Sequence, residues 1–195
     1  MPEIKIVEDR ILSDNWYTLR KLTFDYKLPN GEWQRQQREC YDRGNGAVIL
    51  LFNKEKNDVI LTRQFRMPTY LNGNTDGMLI EACAGLLDDL SPEECIKKET
   101  EEETGYRIQN VEKVFESYMS PGSVTEILYF FIAEYEPKMK VSEGGGHQEE
   151  HENIEVMEIP FDKALTMIKT GQIKDAKTIM LLQYLQLNKI ASTRS

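Results

Sequence analysis

The amino-acid sequence predicts an α/β fold preceded by an antiparallel β element, and three observations carry that prediction. Two β-rich runs, residues 16–26 and 32–42, flank Asn30-Gly31, a pair that accepts the positive φ values of a tight hairpin turn. Short apolar runs of strand length follow at 47–52, 59–65, 79–80, 111–115 and 127–133. Capped helical segments are interspersed with and follow those runs. The boundary falls at Arg43-Gly44-Asn45-Gly46, giving an N-terminal hairpin element over 1–43 and a main domain over 44–195.

Each helix is read from its ends. Ser91, Pro92 and Glu94 make a capping box with proline at the first helical position, and Gly105 closes a helix over 92–104. Residues 161–170 end at Gly171, and Asp175 caps residues 176–188, where Ile179, Leu182 and Leu185 form an apolar stripe. The Gly- and Glu-rich stretch 143–152 reads as a flexible acidic loop.

The 195 residues carry 24 Lys and Arg against 33 Asp and Glu, a formal net charge of -9. That balance argues against nucleic-acid binding, which needs a basic face to neutralise phosphates. An anionic small molecule would have to meet a cation. The acidity is concentrated: residues 88–103 hold eight acids and two bases, residues 143–158 hold six acids and no Lys or Arg, and the rest of the chain is net positive by three. Cys40, Cys83 and Cys95 are odd in number and form no CxxC pair, which predicts reduced thiols in a cytoplasmic protein. No secretory signal and no membrane-length apolar window is present, so no membrane partner is expected.

Within the acidic helix, Glu99, Glu102 and Glu103 fall in an arc of about 100°, while Glu101 points away. Like charges at helical spacing cost only about 0.2–0.5 kcal/mol per pair. A solvated acidic face and a cation-binding cluster therefore both stand on energetics. Upstream, the apolar run from Leu79 is expected to break at Gly85, directly before the helix loop. A glycine there lets backbone approach a ligand, and a carbonyl beside the three carboxylates would complete an oxygen-rich pocket suited to Mg²⁺. His147 and His151 have the spacing of a zinc motif, but Gln148 replaces the required Glu and the setting is a loop after three glycines. Zinc-protease chemistry is disfavoured.

The run Lys98-Glu99-Thr100-Glu101-Glu102-Glu103-Thr104-Gly105-Tyr106 resembles the second half of the Nudix hydrolase box. It departs from that box in three ways. The spacing from Gly85 to Lys98 is one residue short, so the first box glutamate falls on Leu90 or Ser91. Lys98 replaces arginine, and Thr100 takes an apolar slot. Further segments extend the resemblance over nearly the whole chain, toward the GDP-mannose-cleaving branch of the family. Among them are Tyr41-Asp42-Arg43-Gly44-Asn45-Gly46, Arg63-Gln64-Phe65-Arg66, Ala84-Gly85-Leu86-Leu87-Asp88 and Tyr118-Met119-Ser120-Pro121-Gly122.

The resemblance implies the Nudix fold, an α/β/α sandwich with a mixed sheet, and Mg²⁺ as cofactor with Mn²⁺ as a substitute. It implies metal ligation by the Ala84 carbonyl, Glu99, Glu102 and Glu103. A glutamate before the last strand would serve as general base or further ligand: Glu152, with Glu150 in reserve. Substrate contacts would come from Trp16, Gln37, Arg38 and Glu39 of a hairpin exchanged across a homodimer, and from Arg66, Gly85, Leu86, Glu126 and Lys177. Taken singly, Trp16 reads equally as core, Arg63 as an edge-strand charge, and Glu126 and Lys177 as surface. The implied reaction is hydrolysis of a nucleoside diphosphate sugar, GDP-mannose to GMP and mannose 1-phosphate. An ADP-ribose or ADP-sugar pyrophosphatase is the alternative. A nucleotide-sugar sensor without turnover is a third reading, disfavoured because it would not need a costly acidic cluster.

Overall fold

Three antiparallel strands, β1 (Ile4–Asp14), β2 (Thr18–Lys27) and β3 (Trp33–Asp42), form a sheet in the order β1-β2-β3. The computed structural model describes residues 3–147 and 152–191, and the chain divides into two units, residues 1–45 with 118–127 and residues 46–117 with 128–195. The sequence predicts only a two-stranded hairpin here. The additional strand β1 escapes period-two reasoning because bulges lie between Ile6 and Glu8 and between Ile11 and Ser13, each shifting the alternation by one residue. The β2–β3 turn also differs from the expected Asn-Gly form. Only Gly31 takes a positive φ, +91°, in a longer turn where the Leu28 amide donates to the Glu32 carbonyl.

Segment 118–127 belongs to this unit through a set of specific bonds. The Tyr41 amide donates to Ser123 O and the Thr125 amide to Tyr41 O. The Thr125 hydroxyl bonds Asp42, and Asn45 Oδ1 accepts from the Ile127 amide.

The second unit is built on a seven-stranded mixed sheet. Its main order is β10 (Glu155–Pro160), β5 (Asp58–Phe65), β4 (Gly46–Asn53), β9 (Ile127–Glu134) and β8 (Glu112–Tyr118). Two short strands pair beside this path, β6 (Met78–Glu81) with β5 and β7 (Cys83–Leu86) with β4. Strands β4 and β9 are parallel, and the pairs β10–β5, β5–β4, β4–β7 and β5–β6 are antiparallel. Every residue of β4 is buried, as expected where both faces of a strand are covered. Ala47, Ile49 and Leu51 join Cys95 and Ile96 of helix α2 (Pro92–Thr104) in one core. Alternate β4 residues face the other way, where α4 (Ala176–Leu187) packs with buried Leu181, Leu182 and Leu185 beside α3 (Phe161–Lys169). The result is an α/β/α sandwich. A short helix, α1 (Met67–Leu71), was not legible in the sequence because it spans a single turn around Pro68. No helix among the described residues is long and apolar enough to cross a membrane.

Candidate active site

Helix α2 starts as its sequence dictates. Ser91 Oγ accepts from the Glu94 amide and the Glu94 side chain bonds back to the Ser91 amide, satisfying two otherwise orphaned donors. The apolar slot held by Thr100 is accommodated without loss, because its buried hydroxyl donates to Ile96 O at 2.5 Å. Gly105 closes the helix in the left-handed region at φ +79°.

Beyond that cap the Gly144-Gly145-Gly146 run is docked onto the end of α2. The Gly145 amide donates to Glu103 O and the Gly146 amide to Glu102 O, supplying partners to helix-terminal carbonyls. Gly144 lies so close that a Cβ on it would sit 2.4 Å from Glu103 O, at φ +71°. Glu152 is tied to this segment, with Oε2 accepting from the His147 amide at 3.1 Å and its own amide donating to His147 O. Glu150 lies outside the described residues.

The glutamates of α2 have separate environments. Glu101 turns to Arg107 in a two-pronged pair at 2.7 Å, and the hydrogen bonds from that guanidinium hold its carboxyl below the ordinary range. Glu102 is drawn toward Lys98 at 3.3 Å and His147 Nε2 at 2.9 Å, so Lys98 braces the helix within itself. Glu103 is 3% exposed and its Oε2 has no hydrogen-bond partner among the described residues. Burial pushes its carboxyl up to about 8, opposed by a hydrogen bond from Cys83 and reinforced by the charges of Glu99 and Glu152. The expected convergence of three carboxylates is thus narrower. Glu99 and Glu152 both bear on Glu103, while Glu102, at the far side of the arc, is held by Lys98 and His147.

Gly85 does not break the strand as expected; it lies inside β7, opposite Ala47 of β4, with Ala84 opposite Val48 and Leu86 opposite Gly46. Its lack of a side chain serves Glu99 instead, because a Cβ on Gly85 would sit 2.2 Å from Glu99 Cδ. The obstructed group is a flexible side chain, not backbone. Gly85→Ala is therefore expected to displace Glu99 with little change in melting temperature, and to weaken divalent-cation affinity by about tenfold or more. Titration calorimetry with Mg²⁺ beside a thermal melt checks both parts.

These donors suit a hard divalent cation. A buried carboxylate oxygen with no partner, next to a second carboxylate, is costly until a positive charge compensates it. Among the described residues no group of three His, Cys, Asp or Glu side chains is arranged to hold an ion unaided, so coordination would draw on backbone oxygen, water or substrate phosphate, as Mg²⁺ commonly does.

Arg66 and Lys177 meet on a residue the sequence reading did not single out. Glu81, at the end of β6, binds Arg66 Nε through Oε2 at 2.7 Å and Lys177 Nζ through Oε1. Lys177 also pairs with Asp175 at 2.8 Å. It is therefore a part-buried ion-pair member, not a surface residue. The available signal was one acid in the otherwise apolar run Met78-Leu79-Ile80-Glu81-Ala82-Cys83. Arg63 pairs with Glu155 and Asp76, but it is not an edge-strand charge, because β5 is paired at this position with β10 on one side and β6 on the other.

In the N-terminal unit Trp16 is 87% exposed and is not a core residue. Its ring meets Tyr17 edge-on, and Arg43 lies over Tyr17 while its Nε sits 3.5 Å from buried Glu126. Gln37 bonds the Thr23 hydroxyl, Arg38 bonds Gln37 O and Gln36, and Glu39 is exposed.

Residues 3–41 match the family model described as GDP-mannose pyrophosphatase NudK N-terminal domain, and residues 42–182 match the NUDIX domain model. Relatives named GDP-mannose pyrophosphatase include those of Pectobacterium atrosepticum, 61% identical over 93% of each chain, and Enterobacter sp. strain 638, 58% identical over 95% of this chain and 96% of the relative. That of Salmonella typhimurium is 57% identical over 96% of this chain and 97% of its own. A solved structure described as an ADP compounds hydrolase superposes with a TM-score of 0.70 over 94% of both chains at 16% identity, a likeness of fold. With the capped acidic helix, the mixed sheet and a NUDIX match covering residues 42–182 all on one chain, this protein belongs to the Nudix hydrolases.

Proposed function

We propose that this Nudix hydrolase cleaves the pyrophosphate bond of GDP-mannose, adding water to give GMP and mannose 1-phosphate. The observation that carries the chemistry is the buried carboxylate oxygen of Glu103, unpartnered among the described residues, beside Glu99. The choice of sugar nucleotide is supported by the names of relatives similar over nearly the whole chain. Nudix hydrolases generally use divalent metal ions. In our reading Glu99 and Glu103 hold Mg²⁺, or Mn²⁺ in its place, with the Ala84 carbonyl beside them and Glu102 as an outer member. The bound ion supplies charge neutralisation and a more acidic water.

Glu152 takes the proton of the attacking water, its position set by the glycine run on the end of α2; Glu150 is the reserve for that role. Arg66 and Lys177 bind the diphosphate, and Gly85 and Leu86 offer backbone to it. Trp16, Gln37, Arg38, Glu39 and Glu126 receive the nucleoside and sugar. Comparing Mg²⁺-supported turnover of GDP-mannose and ADP-ribose tests the assignment, with GMP and mannose 1-phosphate as the expected products. Faster ADP-ribose cleavage would transfer the assignment to the ADP-sugar alternative.

We also propose that residues 1–43 serve as a dimerisation element exchanged between two copies, with 44–195 as the hydrolase domain. Exposed Ile4, Ile6, Val7, Ile11 and Leu12 along β1 support this, because an apolar edge strand invites pairing. Light scattering behind size exclusion should give twice the 22.7 kDa chain mass, and a monomer at micromolar concentration would refute it. Three cysteines without a disulfide are in keeping with a cytoplasmic setting.

A further inference from the structure

We propose that Glu81 is a positioning residue that holds Arg66 and Lys177 toward the diphosphate of the substrate, one carboxylate oxygen assigned to each cation. The inference deepens the functional reading above and rests on it.

Glu81 cannot itself receive the substrate, since its side chain is 4% exposed and its charge would repel phosphate. Its two oxygens instead divide between two cations from distant parts of the chain. Oε2 takes Arg66 Nε, at the start of α1, and Oε1 takes Lys177 Nζ, in the first turn of α4. Both cations are fixed at the backbone. Arg66 O accepts from the Thr69 and Tyr70 amides. At α4, Asp175 Oδ2 accepts from the Thr178 amide and hydroxyl, and Thr178 Oγ1 in turn accepts from the Ala82 amide at 2.6 Å. The residue following Glu81 is thereby bonded to the cap that places Lys177.

The donor inventory matches an anion with several oxygens. Arg66 spends Nε on Glu81, and among the described residues both terminal nitrogens remain for a bidentate contact, with its side chain 40% exposed. Lys177 spends two of its three N–H groups, on Glu81 and Asp175. Two carboxylates balance the two cations, so the group rests neutral within an acidic protein until a phosphate arrives. Arg66 lies near enough to Glu103 to feel its charge, which relates the group to the proposed metal helix. Binding Arg66 through Nε alone restrains the plane of the guanidinium without consuming its fork. A lysine in that place would have no such geometry to restrain.

The test is a coupling measurement. Inorganic pyrophosphate binding with Mg²⁺ present, by titration calorimetry, is compared for the wild-type chain, Glu81→Gln, Arg66→Ala and the double variant. Glu81→Gln is expected to weaken binding about tenfold, and only about threefold in the Arg66→Ala background, because its effect passes through that guanidinium. Glu81→Asp, which keeps the charge but loses reach, should fall between wild type and Glu81→Gln, and it carries the same comparison if Glu81→Gln does not fold. Equal losses in both backgrounds, or no loss in a folded variant, would overturn the proposal, as would a wild-type chain that does not bind pyrophosphate. Turnover separates the two readings. A chain that shows the coupling yet cleaves no nucleoside diphosphate sugar refutes the proposed function and leaves the role of Glu81 standing.

Discussion

Glu103→Gln is expected to lower kcat on the order of 10³-fold while leaving the fold intact, and to stabilise the metal-free protein at alkaline pH. The two effects have one source. As a carboxylate, Glu103 offers a buried oxygen with no partner among the described residues, a cost repaid only when a cation binds. As an amide, the side chain fits the same space without a buried charge but is a poor ligand for Mg²⁺. Removal of a group that anchors transition-state charge commonly costs this order of rate. At pH 8.5 without metal, the variant should exceed wild type by about 1–3 kcal/mol in denaturant unfolding. An unchanged kcat would remove Glu103 from the metal site, and a less stable metal-free variant would contradict its burial as an uncompensated charge.

The second large effect is a stability that depends on pH and metal in opposite senses. The Glu103 carboxyl is raised to about 8 by burial first, with Glu99 and Glu152 adding to the rise and Cys83 opposing it. Unfolded, it would return to an ordinary carboxyl value near 4.5. Between these values the folded state holds a proton that the unfolded state has lost, so metal-free stability falls as pH rises through that window and levels above it. The fall attributable to this group is on the order of 2–4 kcal/mol. For a chain of this size that corresponds to roughly 5–15 °C in melting temperature. Saturating Mg²⁺ should reverse the trend, stabilising more at pH 8.5 than at pH 5, because the cation competes with the proton for the same oxygen. Calorimetric melts at pH 5, 7 and 8.5, with chelator and with Mg²⁺, measure the two slopes. A metal-free profile flat over this range would show that Glu103 is not buried as a charge.

Much of the helix that frames the candidate site was legible in the sequence. The spacing of Glu99, Glu102 and Glu103, the capping box at Ser91 and the glycine at 105 come from local rules, because a helix sets its angular positions and its ends within a few residues. The apolar run 47–52 announced a buried strand, and every residue of β4 is buried. The acids of the second window also had an outcome there, since Glu152 lies on a segment docked to the same helix end.

What the linear chain could not provide depends on partners far away in it. Strand β1 is hidden by two bulges that scramble its alternation, and its pairing with β2 is visible only in three dimensions. Spacing alone placed Glu99, Glu102 and Glu103 together; the fold set Glu102 apart, sending it to Lys98 and His147, and buried Glu103 beside Cys83 with Glu99 still near. Gly85 was recognised as a point of close approach, but only the packing shows that the group approaching is Glu99. The ion pairs of Glu81 join residues 15 and 96 positions apart in sequence, a separation at which no local propensity operates. The sequence by itself thus determined the acidic helix, the elements that frame it and the chemistry those residues can perform. Tertiary structure decided which carboxylate loses its water, which cation it meets and which donors remain unspent, because desolvation and charge pairing depend on what surrounds a group in space.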